Sequence, residues 1–234
     1  MTTALIDGDI IVYRIGWTTE DVEDLPIVYH RTDEMFDEIL NTTGAEQYRV
    51  FLTGAKDETA FRKLVYPEYK AHRKAEKPRW YNEIREYITK EWDAETVVGI
   101  EADDALGMHQ TSDTIICSID KDLLQIQGRH YNFVKKEFVY VDETDGLRSF
   151  YTQLIKGDTS DNLKGIPNRG DAYAKKKIGH LALEQDLFEV VRECYHEAEL
   201  TDEYLLQMGR CLWIWKQDDD DWINHYNRLM ENIE

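Results

Sequence analysis

Short apolar runs alternate along the chain with stretches in which apolar residues recur every three or four positions. Thr3–Ile6, Tyr48–Leu52, Thr96–Ile100 and Thr114–Ile119 are brief runs rich in aliphatic and β-branched side chains, the pattern of strands. Between them, Met35, Phe36, Ile39 and Leu40, and again Ile84, Tyr87 and Ile88, fall at helical spacing. Strands separated by helical patterns predict an α/β fold, a mostly parallel sheet flanked by helices. Phe133–Val141, interrupted by Lys135-Lys136-Glu137, reads as a hairpin at the sheet edge. From Leu147 onward the strand pattern stops, and Leu181–Met230 reads as helices. We therefore expect a core over residues 1–157 and a helical part over 158–234.

Composition narrows the function classes. The 234 residues carry 28 Lys and Arg against 47 Asp and Glu, a formal charge of −19. A generic polyanion binder has the opposite sign, so a nucleic-acid role must rest on local patches. No window approaches the roughly 18 apolar residues of a membrane span, and the N-terminus lacks a basic-then-apolar signal. Cys117, Cys194 and Cys211 have no metal-like spacing, which fits a reducing cytoplasm. A membrane protein, a secreted protein and a zinc scaffold are not expected.

The acids fall at informative places. Asp7 and Asp9 close the first strand, Glu101, Asp103 and Asp104 follow the third, and Asp120 and Asp122 follow the fourth. In an open parallel sheet the carboxyl ends of the strands face one crevice, so these clusters are expected to converge. Two carboxylates about 4 Å apart repel by roughly 4 kcal/mol at an effective dielectric near 20. Such a crowd requires protons or cations, and oxygen-only ligands without His or Cys suit Mg²⁺ or Mn²⁺. A pair of such ions can serve phosphodiester cleavage. Each cluster also has a plainer reading. Glu101–Asp104 could be a helix cap, Asp7-Gly8-Asp9 a turn, and Lys121 could neutralise its neighbours.

Two further segments stand out. Lys156-Gly157-Asp158-Thr159-Ser160-Asp161-Asn162 precedes Gly165-Ile166-Pro167-Asn168-Arg169-Gly170 and the lysines 175–177. Glycines let backbone N–H groups approach a phosphate, and a following helix N-terminus favours an anion. Residues 61–90 hold nine basic side chains against four glutamates, net +5, interleaved with Phe61, Tyr66, Tyr69, Trp80, Tyr81 and Tyr87. Cations with stacking faces suit a single strand or a frayed duplex end. An exposed turn and a solvated helix face are the respective plainer readings.

Taken in order, these pieces resemble the 5′-nuclease superfamily of flap endonucleases and polymerase-linked 5′-nucleases, and within it the short bacteriophage 5′→3′ exonucleases. The resemblance rests on Asp7-Gly8-Asp9, Tyr66–Lys74, Glu101–Ala105, Asp120–Leu124 and Gly157–Gly170, with Gln207-Met208-Gly209-Arg210 pointing to the phage branch. It implies a PIN-like core with a basic arch region at about 61–92, and a helix–three-turn–helix DNA-binding element with its helix-hairpin-helix turn at about 158–180. It implies two divalent ions, with Asp7, Glu101, Asp103 and Asp120 as ligands of the first. Asp122, Asp158 and Asp161 would hold the second, with Asp104 and Asp9 close by. Lys70 and Arg73 would contact the scissile phosphate, Arg14 a further phosphate, and Tyr69 would stack on the terminal base. Gly165, Ile166, Gly170, Lys175 and Lys176 would grip the DNA backbone, with K⁺ at the turn. Two features depart from the family pattern. Asp57 is displaced along the chain from the usual place after the second strand, and the interval from Tyr69 to Glu101 is short for a complete arch. The expected activity is a Mg²⁺-dependent 5′→3′ exonuclease on DNA ends, nicks, gaps and flaps, extending to RNA–DNA hybrids. The protein would be a monomer of the cytoplasm, the host's if phage-encoded. The rival readings are a haloacid dehalogenase-type phosphatase, built on Asp7 and Asp9, and a non-enzymatic acidic DNA mimic using the run Asp218–Asp221.

Overall fold

The computed structural model describes residues 1–54, 61–73 and 76–233. In chain order the elements are β1 (Thr3–Asp7), α1 (Gly8–Thr18), α2 (Leu25–Thr43), β2 (Gln47–Thr53), α3 (Phe61–Val65), α4 (Tyr81–Glu91), β3 (Glu95–Val97), α5 (Ala102–His109) and β4 (Thr114–Cys117). A 3₁₀ turn (Asp122–Gln125) leads to β5 (Gly128–Asn132), β6 (Glu137–Val141), α6 (Glu143–Lys156), β7 (Gly157–Asp158) and β8 (Leu163–Lys164). The chain ends in α7 (Asp171–Ile178), α8 (Glu184–Glu197), α9 (Asp202–Leu212) and α10 (Trp222–Glu231). These form two compact units. The first comprises Met1–Asp57, Lys74–Lys121 and Gly128–Tyr140; the second comprises Glu58–Arg73, Asp122–Gln127 and Val141–Glu234.

The first unit carries the sheet, in the order β3-β2-β1-β4-β5-β6. Parallel pairing sets Ile6 opposite both Val50 and Cys117, and Thr53 opposite Val97, and β5 runs parallel to β4. β6 follows β5 after four residues, a connection too short for a parallel crossover. This is the mostly parallel, helix-flanked sheet that the hydrophobic pattern predicts. Ala4, Leu5 and Ile6 are buried because β1 is covered on both faces. Ile11, Val12 and Ile15 of α1, Phe36 and Ile39 of α2, and Ile84 and Ile88 of α4 pack in the same core as Val50 and Leu52.

Some boundaries differ from the sequence reading. β3 stops at Val97 because the chain turns through Gly99, at φ +83°. β4 ends at Cys117, leaving Ile119 exposed. The first arm of the hairpin is β5, not the run from Phe133. Asn132 ends that arm by accepting the Val134 and Lys135 amides on its Oδ1, which turns the chain. In the region read as free of strands, β7 and β8 form a short antiparallel ladder.

The second unit is helical around an aromatic core. Phe150 meets the Trp213 ring edge-on at 4.9 Å, with Trp222 beside it. A Cβ on Gly209 would lie 2.0 Å from the Trp222 ring, so the Gln207–Arg210 motif serves close packing. Gly157, at φ +74°, and Gly165 are back to back, and a Cβ on either would lie 2.3 Å from the other's amide nitrogen.

Candidate active site

In the first unit the parallel strands bring several predicted side chains to one edge. Asp7 closes β1 and caps α1, its Oδ1 accepting the Ile10 amide at 3.1 Å and its Oδ2 the Ser118 hydroxyl at 2.7 Å. Only 2% of the residue is exposed. Burial, then the negative fields of Asp9 and Asp120, push its carboxyl up to about 7. Asp9 accepts the Thr53 amide at 2.9 Å and pairs with Arg85 Nη1 at 2.8 Å. Arg85 also donates to the Thr53 carbonyl at 2.7 Å, and Thr53 Oγ1 accepts the Ala102 amide at 3.0 Å. Thr53 thus ties the end of β2 to the start of α5. Ser118 Oγ also accepts the Asp120 amide at 3.0 Å.

Glu101 and Asp104 form a reciprocal capping box at the start of α5. Asp104 is fully buried, and its Oδ2 accepts the Glu101 amide at 3.0 Å. Its Oδ2 is therefore engaged in the cap at the start of α5. Asp103 is half-buried in the same turn, and Arg14 is half-buried midway along α1.

The second unit gathers the remaining acids with the predicted basic pair. Asp122 opens the 3₁₀ turn, accepts Gln153 Nε2 at 2.6 Å and lies within hydrogen-bonding reach of Asp158. Asp158 is buried and accepts the Ser160 amide at 2.7 Å, the Ser160 hydroxyl at 2.6 Å and the Asp161 amide at 3.3 Å. Burial alone would raise its pKa, but these donors outweigh it and hold the carboxyl below its usual value. Asp161 accepts Arg73 Nη2 at 2.5 Å and the Tyr69 hydroxyl at 3.0 Å, with Lys70 Nζ 3.7 Å away. Arg73 Nε reaches the Ser160 carbonyl at 2.9 Å. The Lys70 amide, in a left-handed residue at φ +54°, donates to the Asp161 carbonyl.

Several expectations about DNA contacts are corrected. Tyr69 is 3% exposed and belongs to the core of the second unit, so its ring is not a stacking face. Ile166 is also buried, and its amide is committed to the Ile155 carbonyl at 2.7 Å. Gly165 is needed for the approach to Gly157. Gly170 instead caps α7 with open space around it, and Lys175 and Lys176 are exposed. Other members of the basic and aromatic stretch turn inward. Arg62 is buried and donates to the Cys211 and Trp213 carbonyls at 2.9 and 2.7 Å. Trp80 donates to the Val22 carbonyl and Tyr87 to Asp33. Of the acidic run, Asp218 and Asp219 are exposed, whereas the other two acids turn inward. Asp220 accepts from Trp213 Nε1 and the Lys216 amide, and Asp221 caps α10 and pairs with Arg210. Asp57 and Lys74 lie outside the described residues.

Arg85, Ser118, Gln153 and Ser160 hold the acids and were given no role from the sequence. Arg85 lay within the basic stretch, and both serines within the acidic motifs. Among the described residues, no three His, Cys, Asp or Glu side chains form a group ready to hold a metal ion. No described helix is long and apolar enough to cross a membrane.

Residues 2–152 match the family described as 5′-3′ exonuclease, N-terminal resolvase-like domain. A 5′-3′ exonuclease of Buchnera aphidicola subsp. Schizaphis graminum is 25% identical over 190 residues, 71% of this chain and 66% of that protein. DNA polymerase I of Chloroflexus aurantiacus is 32% identical over 205 residues, 73% of this chain but 21% of the polymerase. The bacteriophage T5 5′-exonuclease with divalent zinc ions bound shares the fold, with a TM-score of 0.66, 17% identity and full coverage of both chains. None of these comparisons supports a phosphatase or a DNA mimic. With the family model matching well over half of its length, the chain belongs to the 5′-3′ exonuclease, N-terminal resolvase-like domain family.

Proposed function

We propose that this chain is a divalent-metal-dependent 5′→3′ exonuclease. It would hydrolyse phosphodiester bonds of duplex, nicked or gapped DNA from 5′ ends, with flap cleavage and RNA primer removal at the same site. The observation that carries this reading is the crowding at Asp7, whose carboxyl is raised to about 7 by burial and by Asp9 and Asp120. A carboxylate that takes up a proton so readily among other carboxylates also suits a hard cation, and the donors are all oxygen. Asp7, Glu101, Asp103 and Asp120 would hold one Mg²⁺ or Mn²⁺, and Asp122, Asp158 and Asp161 another. The first set falls wholly within the first unit and the second wholly within the second. When bound, such ions activate water and neutralise phosphate charge.

The chain's own side chains would do the rest. Lys70 and Arg73, held by Asp161, would offset charge developing on the phosphate. Gly170, Lys175, Lys176 and Arg14 would attract the backbone, with K⁺ near the turn. Products would carry a 5′-phosphate and leave a 3′-hydroxyl. The test uses DNA labelled separately at each end, with Mg²⁺ or EDTA, and the wild type beside Asp103→Asn. We expect products that start from the 5′ end, no cleavage in EDTA, and a loss of at least about a thousandfold in the variant, some 4 kcal/mol of barrier. Cleavage that survives EDTA overturns the mechanism, and a ladder from the 3′ end overturns the polarity.

A further inference from the structure

A cavity of about 470 Å³ lies in the second unit, of the size that takes small molecules, and none of the acids assigned to an ion lines it. His225 and Arg228 of α10 line it together with Gln125, Trp213 and Lys216. Lys216 is the unusual member. It is half-buried, and its Nζ rests 3.7 Å from the centroid of the Trp213 ring. That nitrogen forms neither an ion pair nor a hydrogen bond with any described residue. Asp220 is engaged elsewhere. Its Oδ2 accepts Trp213 Nε1 at 3.1 Å and the Lys216 backbone amide at 2.9 Å, and its Oδ1 faces His225 Nε2 at 3.0 Å. Burial pulls the Lys216 amine down to about 8, against the fields of Asp220, Glu184 and Glu143. A desolvated, unpaired lysine is a nucleophile near neutral pH.

The surroundings select what this amine can attack. The three acids favour positive charge at the nitrogen. Acylation or carbamate formation removes that charge, whereas a protonated imine keeps it, so the fitting reactant is an aldehyde. Arg228 Nη2 pairs with Glu184 at 2.9 Å, yet the arginine side chain remains 58% exposed. Its other donors suit an anionic group on the same molecule. Gln125 commits its Nε2 to the Gln153 side chain and the Leu212 carbonyl, and its buried Oε1 meets no donor among the described residues. That acceptor suits a hydroxyl.

We propose that this cavity binds small anionic hydroxyaldehydes and that Lys216 condenses with them. The amine nitrogen attacks the carbonyl carbon and a C–N bond forms. The C–O bond then breaks, and the oxygen leaves as water with both amine hydrogens, so no oxidant or reductant is consumed. The probe is pyridoxal 5′-phosphate, which carries an aldehyde, a hydroxyl and a phosphate. It is added to the full chain at limiting concentration, reduced with cyanoborohydride and mapped by mass spectrometry. Among the fifteen lysines, Lys216 should be labelled at least about tenfold above the exposed Lys135 and Lys175. Pyridoxal, which lacks the phosphate, should label it at least about tenfold less, and Arg228→Met should narrow that gap. Lys216→Arg and Lys216→Met should each lose most of the visible imine absorbance with an unchanged circular dichroism spectrum. The mapping on wild type needs no folded variant. Even labelling across the lysines overturns the proposal, as does imine absorbance that survives both substitutions. Equal labelling by pyridoxal overturns the anionic class.

Discussion

Asp7 in the first unit and Asp161 in the second both stand among other carboxylates, yet their charge is balanced differently. Asp7 is held by neutral donors, the Ile10 amide and the Ser118 hydroxyl, while Asp9 and Asp120 push its proton affinity up. Asp161 meets the cations Lys70 and Arg73 as well as the Tyr69 hydroxyl. Its neighbour Asp158 is saturated by Ser160 and pushed the other way. The Asp7 site is therefore balanced by neutral donors, and the Asp161 site by cations. A cation entering the first relieves repulsion, whereas one reaching Asp161 must compete with a lysine and an arginine.

The largest expected effect tests that contrast through pH in metal-free protein. Asp7 holds its proton up to about 7 when folded, against 3.8 ordinarily. Between those values the unfolded chain has released a proton that the folded chain keeps, so stability falls as pH rises. The drop should approach about 4 kcal/mol by neutral pH. Asp158 has the opposite sign. Its lowered pKa contributes stability that is present above its ordinary value and lost as pH falls through the folded one. In EDTA at pH 7, urea unfolding should show Asp7→Asn more stable than wild type and Asp158→Asn less stable. Magnesium should raise the stability of wild type and leave Asp7→Asn nearly unmoved. Equal behaviour of the two variants would break the comparison.

Next in size is Arg62→Ala. This change leaves the buried carbonyls of Cys211 and Trp213 without their guanidinium donor, and should cost about 3 kcal/mol in urea unfolding. Cleavage per folded molecule should stay within about twofold, because Arg62 turns into the second unit. A large loss of DNA affinity would return Arg62 to the nucleic-acid surface. Smaller again is Asp161→Asn, which removes one carboxylate of the proposed second ion site and releases Lys70 and Arg73 from a charged anchor. Single-turnover cleavage should slow about tenfold, or 1.4 kcal/mol, with partial recovery in Asp161→Glu. An unchanged rate would mean that the carboxylate does not position the pair.

What the sequence could and could not convey follows from the same physics. β1 and β4 read clearly because a strand buried on both faces is a continuous apolar run. β5 did not, since Gly-Arg-His-Tyr-Asn has no such run although His130 and Tyr131 are buried. The acids at the ends of strands were legible from topology, because Asp7 and Asp120 follow neighbouring parallel strands. The Lys70–Arg73–Asp161 assembly was not, as Arg73 and Asp161 are 88 positions apart and only tertiary folding joins them. Aromatic residues beside basic ones look alike whether they face a base or a core, and Tyr69 faces the core. Gly165 announced a close approach without saying to what; the answer is Gly157.

The smallest expected effect concerns α7, where charge is exposed rather than committed. Lys175 and Lys176 are exposed, whereas Lys177 is half-buried with its Nζ 3.6 Å from Glu197. If the first two meet DNA phosphates, Lys175→Ala/Lys176→Ala removes two contacts and no catalytic group. The plot of log affinity against log salt should then flatten by up to about 1.8, since each phosphate contact contributes about 0.9. Affinity at low salt should fall several-fold for any duplex sequence, while the rate at saturating DNA stays the same. Fluorescence anisotropy across a salt series reads the slope, and single-turnover cleavage reads the rate. An unchanged slope would remove α7 from the DNA path while leaving the acid clusters intact. A changed rate would instead tie α7 to the reacting phosphate, and the separation between gripping and cutting would fail.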